Sequence, residues 1–129
     1  MTGVERKRIL VVDDNAGNLK LFTLLLASPR HDVRTAMSAE EALEVLGSFQ
    51  PDLMILDVQM PHLDGLELTR RLKADPLRRA IPILVVTAYA MKGDEDRVRA
   101  AGADGYISKP VDKKAFRQMV AEFLNEGDG

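Results

Sequence analysis

Five short runs of β-branched and apolar residues recur along the chain, separated by amphipathic stretches. They are Ile9–Val12 (ILVV), Asp32–Ala36 (DVRTA), Leu53–Leu56 (LMIL), Ile81–Val86 (IPILVV) and Gly105–Ser108 (GYIS). A strand that is apolar at successive positions buries both of its faces, as strands do in a parallel sheet covered by helices. The stretches between the runs carry helical spacing. Phe116, Met119, Val120, Phe123 and Leu124 repeat at three and four behind a cap candidate at Asp112, and Leu43, Leu46 and Phe49 form a second stripe. Ser38–Glu41 and Asp64–Glu67 have capping-box spacing, so two helices should begin there. Pro29 should end the first helix at Ser28, and Gly102 offers a C-cap to the fourth. Gly47 reads as a weak point inside the second helix.

Strict βα alternation taken five times implies an α/β, doubly wound, five-stranded parallel sheet with right-handed crossovers. The common strand order for this flavodoxin-like (βα)5 architecture is 2-1-3-4-5, with the ligand crevice beyond the carboxyl ends of strands 1 and 3. A length of 129 residues, 46% of them hydrophobic, suits one domain over 1–129 with a core of about 8–124. The tail Glu126–Gly129 reads as a disordered end. Eighteen basic residues against twenty acidic give a net charge of -2, which leaves no excess to hold a nucleic acid. The absence of cysteine suits a reducing, cytoplasmic setting, and the Ile9–Val12 run is too short for a signal peptide or a membrane span.

At the strand ends stand Asp13 and Asp14, Asp57, Thr87 and Lys109. Singly, each has an ordinary reading: a turn and N-cap at Asp13-Asp14-Asn15, a strand-end hydroxyl, a solvated lysine. Together at one crevice they have a chemical one. Three carboxylates repel unless a cation separates them, and oxygen-only ligands favour Mg²⁺, with Mn²⁺ as the alternative. An aspartate, whose side chain ordinarily titrates at about pH 3.9, is ionised at neutral pH and can attack phosphorus without a general base. One carboxylate nucleophile, one cation, a lysine and a hydroxyl make a minimal phosphoryl-transfer site. His31 and His62 fall on expected loops, each alone, and do not read as ligands.

Asp13-Asp14, "LDVQMPHLDG" around Asp57, "VVTAYA" around Thr87 and "YISKP" around Lys109 resemble the receiver domain of two-component response regulators, in order and over Arg8 to Leu124. The stretches "DDNAGNLKLF" and "AYAMKGDEDR" are more similar to stand-alone and hybrid-kinase receivers than to those fused to DNA-binding domains, and the end of the chain after the fifth helix suits either a stand-alone receiver or an excised piece. The resemblance implies that Asp57 accepts a phosphoryl group from a histidine kinase or phosphotransfer protein. It also implies that Asp13, Asp14, Asp57 and the Gln59 backbone carbonyl surround Mg²⁺, and that Thr87 and Lys109 hold the phosphoryl group. Tyr106 falls at the family's switch aromatic, and Gln59 and Tyr89 at positions that tune the lifetime of the aspartyl phosphate. The switched face would be helix 4, strand 5 and helix 5, read by a downstream protein. The Lys109–Pro110 bond is expected cis, as receivers commonly hold it. A Mg²⁺-dependent phosphohydrolase with an aspartyl nucleophile shares this chemistry, but in that family a second aspartate follows the nucleophile by two, where this chain has Gln59. An unphosphorylated scaffold is opposed by the intact acidic set, and a flavin binder by carboxylates at the first βα turn.

Overall fold

The computed structural model describes residues 6–57, 59–60, 63–87, 94–108 and 111–125. Five strands, β1 (Lys7–Val12), β2 (His31–Ala36), β3 (Leu53–Asp57), β4 (Ile83–Thr87) and β5 (Gly105–Ser108), form one sheet. All neighbouring pairs are parallel, in the order β2-β1-β3-β4-β5. Helices α1 (Ala16–Leu26), α2 (Ala39–Leu46), α3 (Gly65–Ala74) and α4 (Asp94–Ala100) make the crossovers, and α5 (Lys113–Phe123) follows the last strand. This is the doubly wound, flavodoxin-like arrangement that the alternation of runs requires.

Alternation along the strands divides the core in two. Leu10, Val12, Met54, Leu56, Ile83 and Val85 pack against α2, α3 and α4. Ile9, Val11, Leu53, Ile55, Leu84 and Val86 pack against α1 and α5, where the Phe22 and Phe116 rings meet at 5.4 Å. The apolar stripe of α5 behaves as its spacing demands: Phe116, Val120 and Leu124 are buried, and the Asp112 carboxylate caps the helix by accepting from the Lys114 and Ala115 N–H groups. Ser38 likewise caps α2, accepting from Glu41 N–H at 3.0 Å. The return bond of this box goes from Met37 N–H to the Glu41 carboxylate, one residue before the cap.

Several boundaries differ from the expectation. β4 begins at Ile83 rather than Ile81, because Pro82 has no N–H for a ladder; its carbonyl instead accepts from Met54 N–H at 2.9 Å. α2 stops at Leu46, so Gly47 is its C-cap and not an interior weak point. Phe49 is nevertheless buried, from the loop, with the Arg34 guanidinium 4.7 Å over its ring. Asp64 lies in a two-residue antiparallel ladder, Gln59–Met60 with Leu63–Asp64, that the apolar pattern does not announce. α3 does begin at Gly65, directly after Asp64 as the spacing expects, and Glu67 pairs forward with Arg70 and Arg71 at 3.5 Å each. His31 is no loop residue: it opens β2, and its Nδ1 lies 2.6 Å from the Leu26 carbonyl. His62 and the tail from Glu126 lie outside the described residues.

The C-terminal end of α4 is pinned. Gly102 takes φ +106°, and a Cβ there would stand 2.8 Å from Lys73 Cγ. The Lys73 ammonium donates to the carbonyls of Arg79 and Ile81 and to Asp104, whose carboxylate also accepts from Ile83 N–H. One lysine thus ties α3, the segment leading into β4 and the turn after α4 together.

Candidate functional site at the carboxyl edge of the sheet

Four polar or charged side chains are buried among the described residues, and three of them stand at the ends of adjacent strands. Asp13 follows β1, Asp57 ends β3 and Thr87 ends β4; the fourth, Thr69, lies on α3. The register explains the meeting of the first two. Val12 pairs with Leu56, so Asp13 and Asp57 come next on neighbouring strands. Asp57 in turn pairs with Val86, which puts Thr87 one step beyond it on the other side. Burying charge at this edge is costly unless a partner meets it, so its concentration here separates a site from incidental strand ends.

Asp13 is fully buried. Its Oδ1 accepts from Asn15 N–H at 2.9 Å, while its Oδ2 is buried with no hydrogen-bond partner among the described residues. Burial raises the Asp13 carboxyl to about 6; the Asn15 N–H and the Asn18 side chain favour the anion, and the Asp57 carboxylate opposes it. The bland reading of Asp13-Asp14-Asn15 holds as well, one residue later: Asn15 is the N-cap of α1, accepting from Asn18 N–H at 2.9 Å. Because Asn15 caps the helix, Asp13 is left to face the crevice. Asp14 is half-buried beside it. Among the described residues no three His, Cys, Asp or Glu side chains converge as a ready-made metal cage, so the close pair is Asp13 with Asp57.

Thr87 shares by alternation the α4 face with Ile83 and Val85, and Tyr106, which pairs with Val85, packs half-buried against that same cluster. The hydroxyl and the aromatic expected to act together therefore lie on one face of adjacent strands. The backbone of Gln59 belongs to the short ladder immediately after Asp57. Lys109, the Lys109–Pro110 bond and Tyr89 lie outside the described residues. A feature that pattern reading missed is the raised Asp13 carboxyl; the only hint was Asn15, whose preference for capping leaves the preceding residues to other work.

A buried acidic pair and a hydroxyl stand at the switch point of a 2-1-3-4-5 sheet, the place where doubly wound α/β domains bind their ligands. The response regulator receiver domain family matches over residues 9–121, and the chain belongs to this family, the receiver domains of two-component signalling. It is 40% identical over 120 residues to the polar-differentiation response regulator DivK of Brucella ovis, covering 93% of this chain and 98% of that one. A CheY-like receiver domain protein from Methanospirillum hungatei JF-1 superposes with a TM-score of 0.84 at 31% identity, over 96% of this chain and 98% of that one. The receiver domain of sensor histidine kinase PA1611 from Pseudomonas aeruginosa PAO1, solved with a magnesium ion in its active-site cleft, superposes with a TM-score of 0.83 at 26% identity, over 94% and 99% of the two chains. Among the described residues no helix is long and apolar enough to cross a membrane.

Proposed function

We propose that the chain, read as one receiver domain over 1–129, works as the phosphoacceptor of a cytoplasmic two-component phosphorelay, with Asp57 as the acceptor. The observation that carries this reading is the buried Asp13–Asp57 pair with Thr87 beside it at the sheet's switch point. An Asp57 carboxylate oxygen attacks the phosphorus of a kinase or phosphotransfer-protein phosphohistidine; the P–N bond breaks, and the imidazole leaves and takes up a proton from water. Thr87 and Lys109 hold the oxygens of the arriving group.

The residues present fit a magnesium ion. The orphaned Asp13 Oδ2 beside a second carboxylate is a hard-oxygen donor set, and Mg²⁺ needs only one or two carboxylates with water filling the rest. Asp13, Asp14, Asp57 and the Gln59 carbonyl would hold it, with Mn²⁺ as a substitute. When bound, the ion supplies charge neutralisation for the incoming phosphoryl oxygens.

The added charge, roughly -1.5 to -2, would draw Thr87 inward, and Tyr106 would take up the space released on the shared face. The α4–β5–α5 surface then differs between states and is what a target protein reads. Gln59 and Tyr89, two residues after Asp57 and Thr87 in sequence, set how long the phosphoryl group survives, with slow self-dephosphorylation expected. The test is Mg²⁺-dependent acceptance of a phosphoryl group from acetyl phosphate, read by intact mass; an unchanged mass would overturn the reading.

A further inference from the structure

At the opposite edge of the sheet, a cleft of about 750 Å³ opens between the starts of β1, β3 and β4 and the end of α2. Its lining combines three kinds of group. Arg6, Lys7 and Arg8 contribute to the lining from consecutive positions at the start of β1, with Arg8 on the same sheet face as Leu10 by alternation. Buried Phe49 and half-buried Ile81 form an apolar floor, and Leu77, the most exposed large hydrophobic side chain among the described residues at 86%, stands on the rim. Asp32 and Asp52 add two carboxylates, one of which accepts from Arg8 N–H at 2.8 Å.

The cations of the lining differ in their partners. Arg78, also in the lining, is held by Asp75 at 2.9 Å, whereas Arg6, Lys7 and Arg8 have no carboxylate within salt-bridge distance among the described residues. Three such adjacent cations attract an anion, and an exposed leucine over an apolar floor attracts a hydrocarbon group. The two aspartates decide between classes of anion. A polyphosphate backbone offers only acceptors and would be repelled by them. A peptide carries carboxylates for the arginines and backbone N–H donors for the aspartates.

We infer that this amino-edge cleft is a docking site for an acidic peptide segment of a partner protein, with an apolar residue set between its carboxylates. The carboxylates pair with Arg6 and Arg8, the apolar side chain lies against Leu77 and Ile81, and backbone N–H groups meet Asp32 and Asp52. The site does not depend on the phosphoacceptor reading. Asp52 immediately precedes the five-residue strand β3 and Asp57 ends it, roughly 16 Å away at the usual rise per residue, which separates the dock from the carboxyl edge. A receiver built this way carries a constant tether at one end and a changing surface at the other.

The test is a titration of the ¹⁵N-labelled full chain with four probes: an acetylated hexapeptide alternating glutamate with leucine, its lysine–leucine counterpart, hexaglutamate, and inorganic pyrophosphate. The glutamate–leucine peptide should give saturable shifts at the amides of Arg8, Phe49, Asp52 and Leu77, equally in the wild type and in Asp57→Asn. Arg6→Glu with Arg8→Glu should weaken it roughly ten-fold or more, and Leu77→Ser several-fold. These side chains are exposed, so the variants should fold, which their unchanged spectra elsewhere would show. The inference is overturned by any of three results: no saturable shifts at those amides, equal binding of the lysine peptide, or equal shifts from hexaglutamate or pyrophosphate.

Discussion

Asp13 and Asp57 lie side by side at the ends of neighbouring parallel strands, and Asp13 keeps one buried carboxylate oxygen without a donor among the described residues. Two acidic groups in this relation cannot both hold a negative charge cheaply in the absence of a cation. The pair is therefore a place where the fold gives up stability to keep a binding site open.

That cost is measurable as a pH dependence. The folded Asp13 carboxyl sits near 6 and its unfolded value near 3.8, so between these limits the folded state binds the extra proton. Metal-free stability should then fall as pH rises from about 4 to about 6 and level off above, the opposite of a salt-bridged aspartate. Asp13→Asn, which removes the titration, should be more stable than the wild type by roughly 3 kcal/mol above pH 6 and indistinguishable from it below about pH 4. Urea unfolding in chelator across this range checks it. A difference independent of pH would contradict the assignment of the raised group.

Magnesium should reverse the order. Asp14→Asn and Asp13→Asn should each weaken Mg²⁺ binding by about ten-fold or more, as loss of a ligand or of its support does. Titration followed by tyrosine fluorescence or NMR reads this, since the chain has two tyrosines and no tryptophan. Unchanged affinity in Asp14→Asn would remove it from the metal set.

Gly102→Ala should cost about 1–3 kcal/mol, because a side chain at φ +106° is strained and its Cβ would meet Lys73 Cγ. If that collision matters, Lys73→Ala combined with Gly102→Ala should show coupling in a double-mutant cycle. Additive losses would assign the whole effect to the backbone.

Thr87→Ala should still accept a phosphoryl group yet lose most of the spectral change at Tyr106 that follows, because in the proposed switch the hydroxyl links the acceptor to the face on which Tyr106 packs. NMR of the two proteins with and without phosphodonor reads the split. A full Tyr106 response without the hydroxyl would show that the change travels another way.

The architecture was legible because apolar runs that bury both faces leave a parallel sheet as the natural solution, and the order 2-1-3-4-5 then brings Asp13 next to Asp57. What escaped had no periodic trace. Phe49 is buried from a loop, so a helical stripe borrowed it. Pro82 removed two residues from an otherwise continuous strand pattern. The Lys73–Asp104 staple joins residues 31 apart in sequence, and the amino-edge cleft gathers Arg6, Phe49 and Leu77 from separate segments. Such groupings exist only after the sheet has closed, whereas the carboxyl-edge site follows from strand order alone.

The most direct test of the whole account is peptide mapping after incubation with acetyl phosphate and Mg²⁺. The account predicts a single acid-stable, hydroxylamine-labile adduct of about 80 Da on the peptide containing Asp57, dependent on Mg²⁺ and absent from Asp57→Asn. An adduct that persists in Asp57→Asn, or that maps to another residue in the wild type, would contradict it.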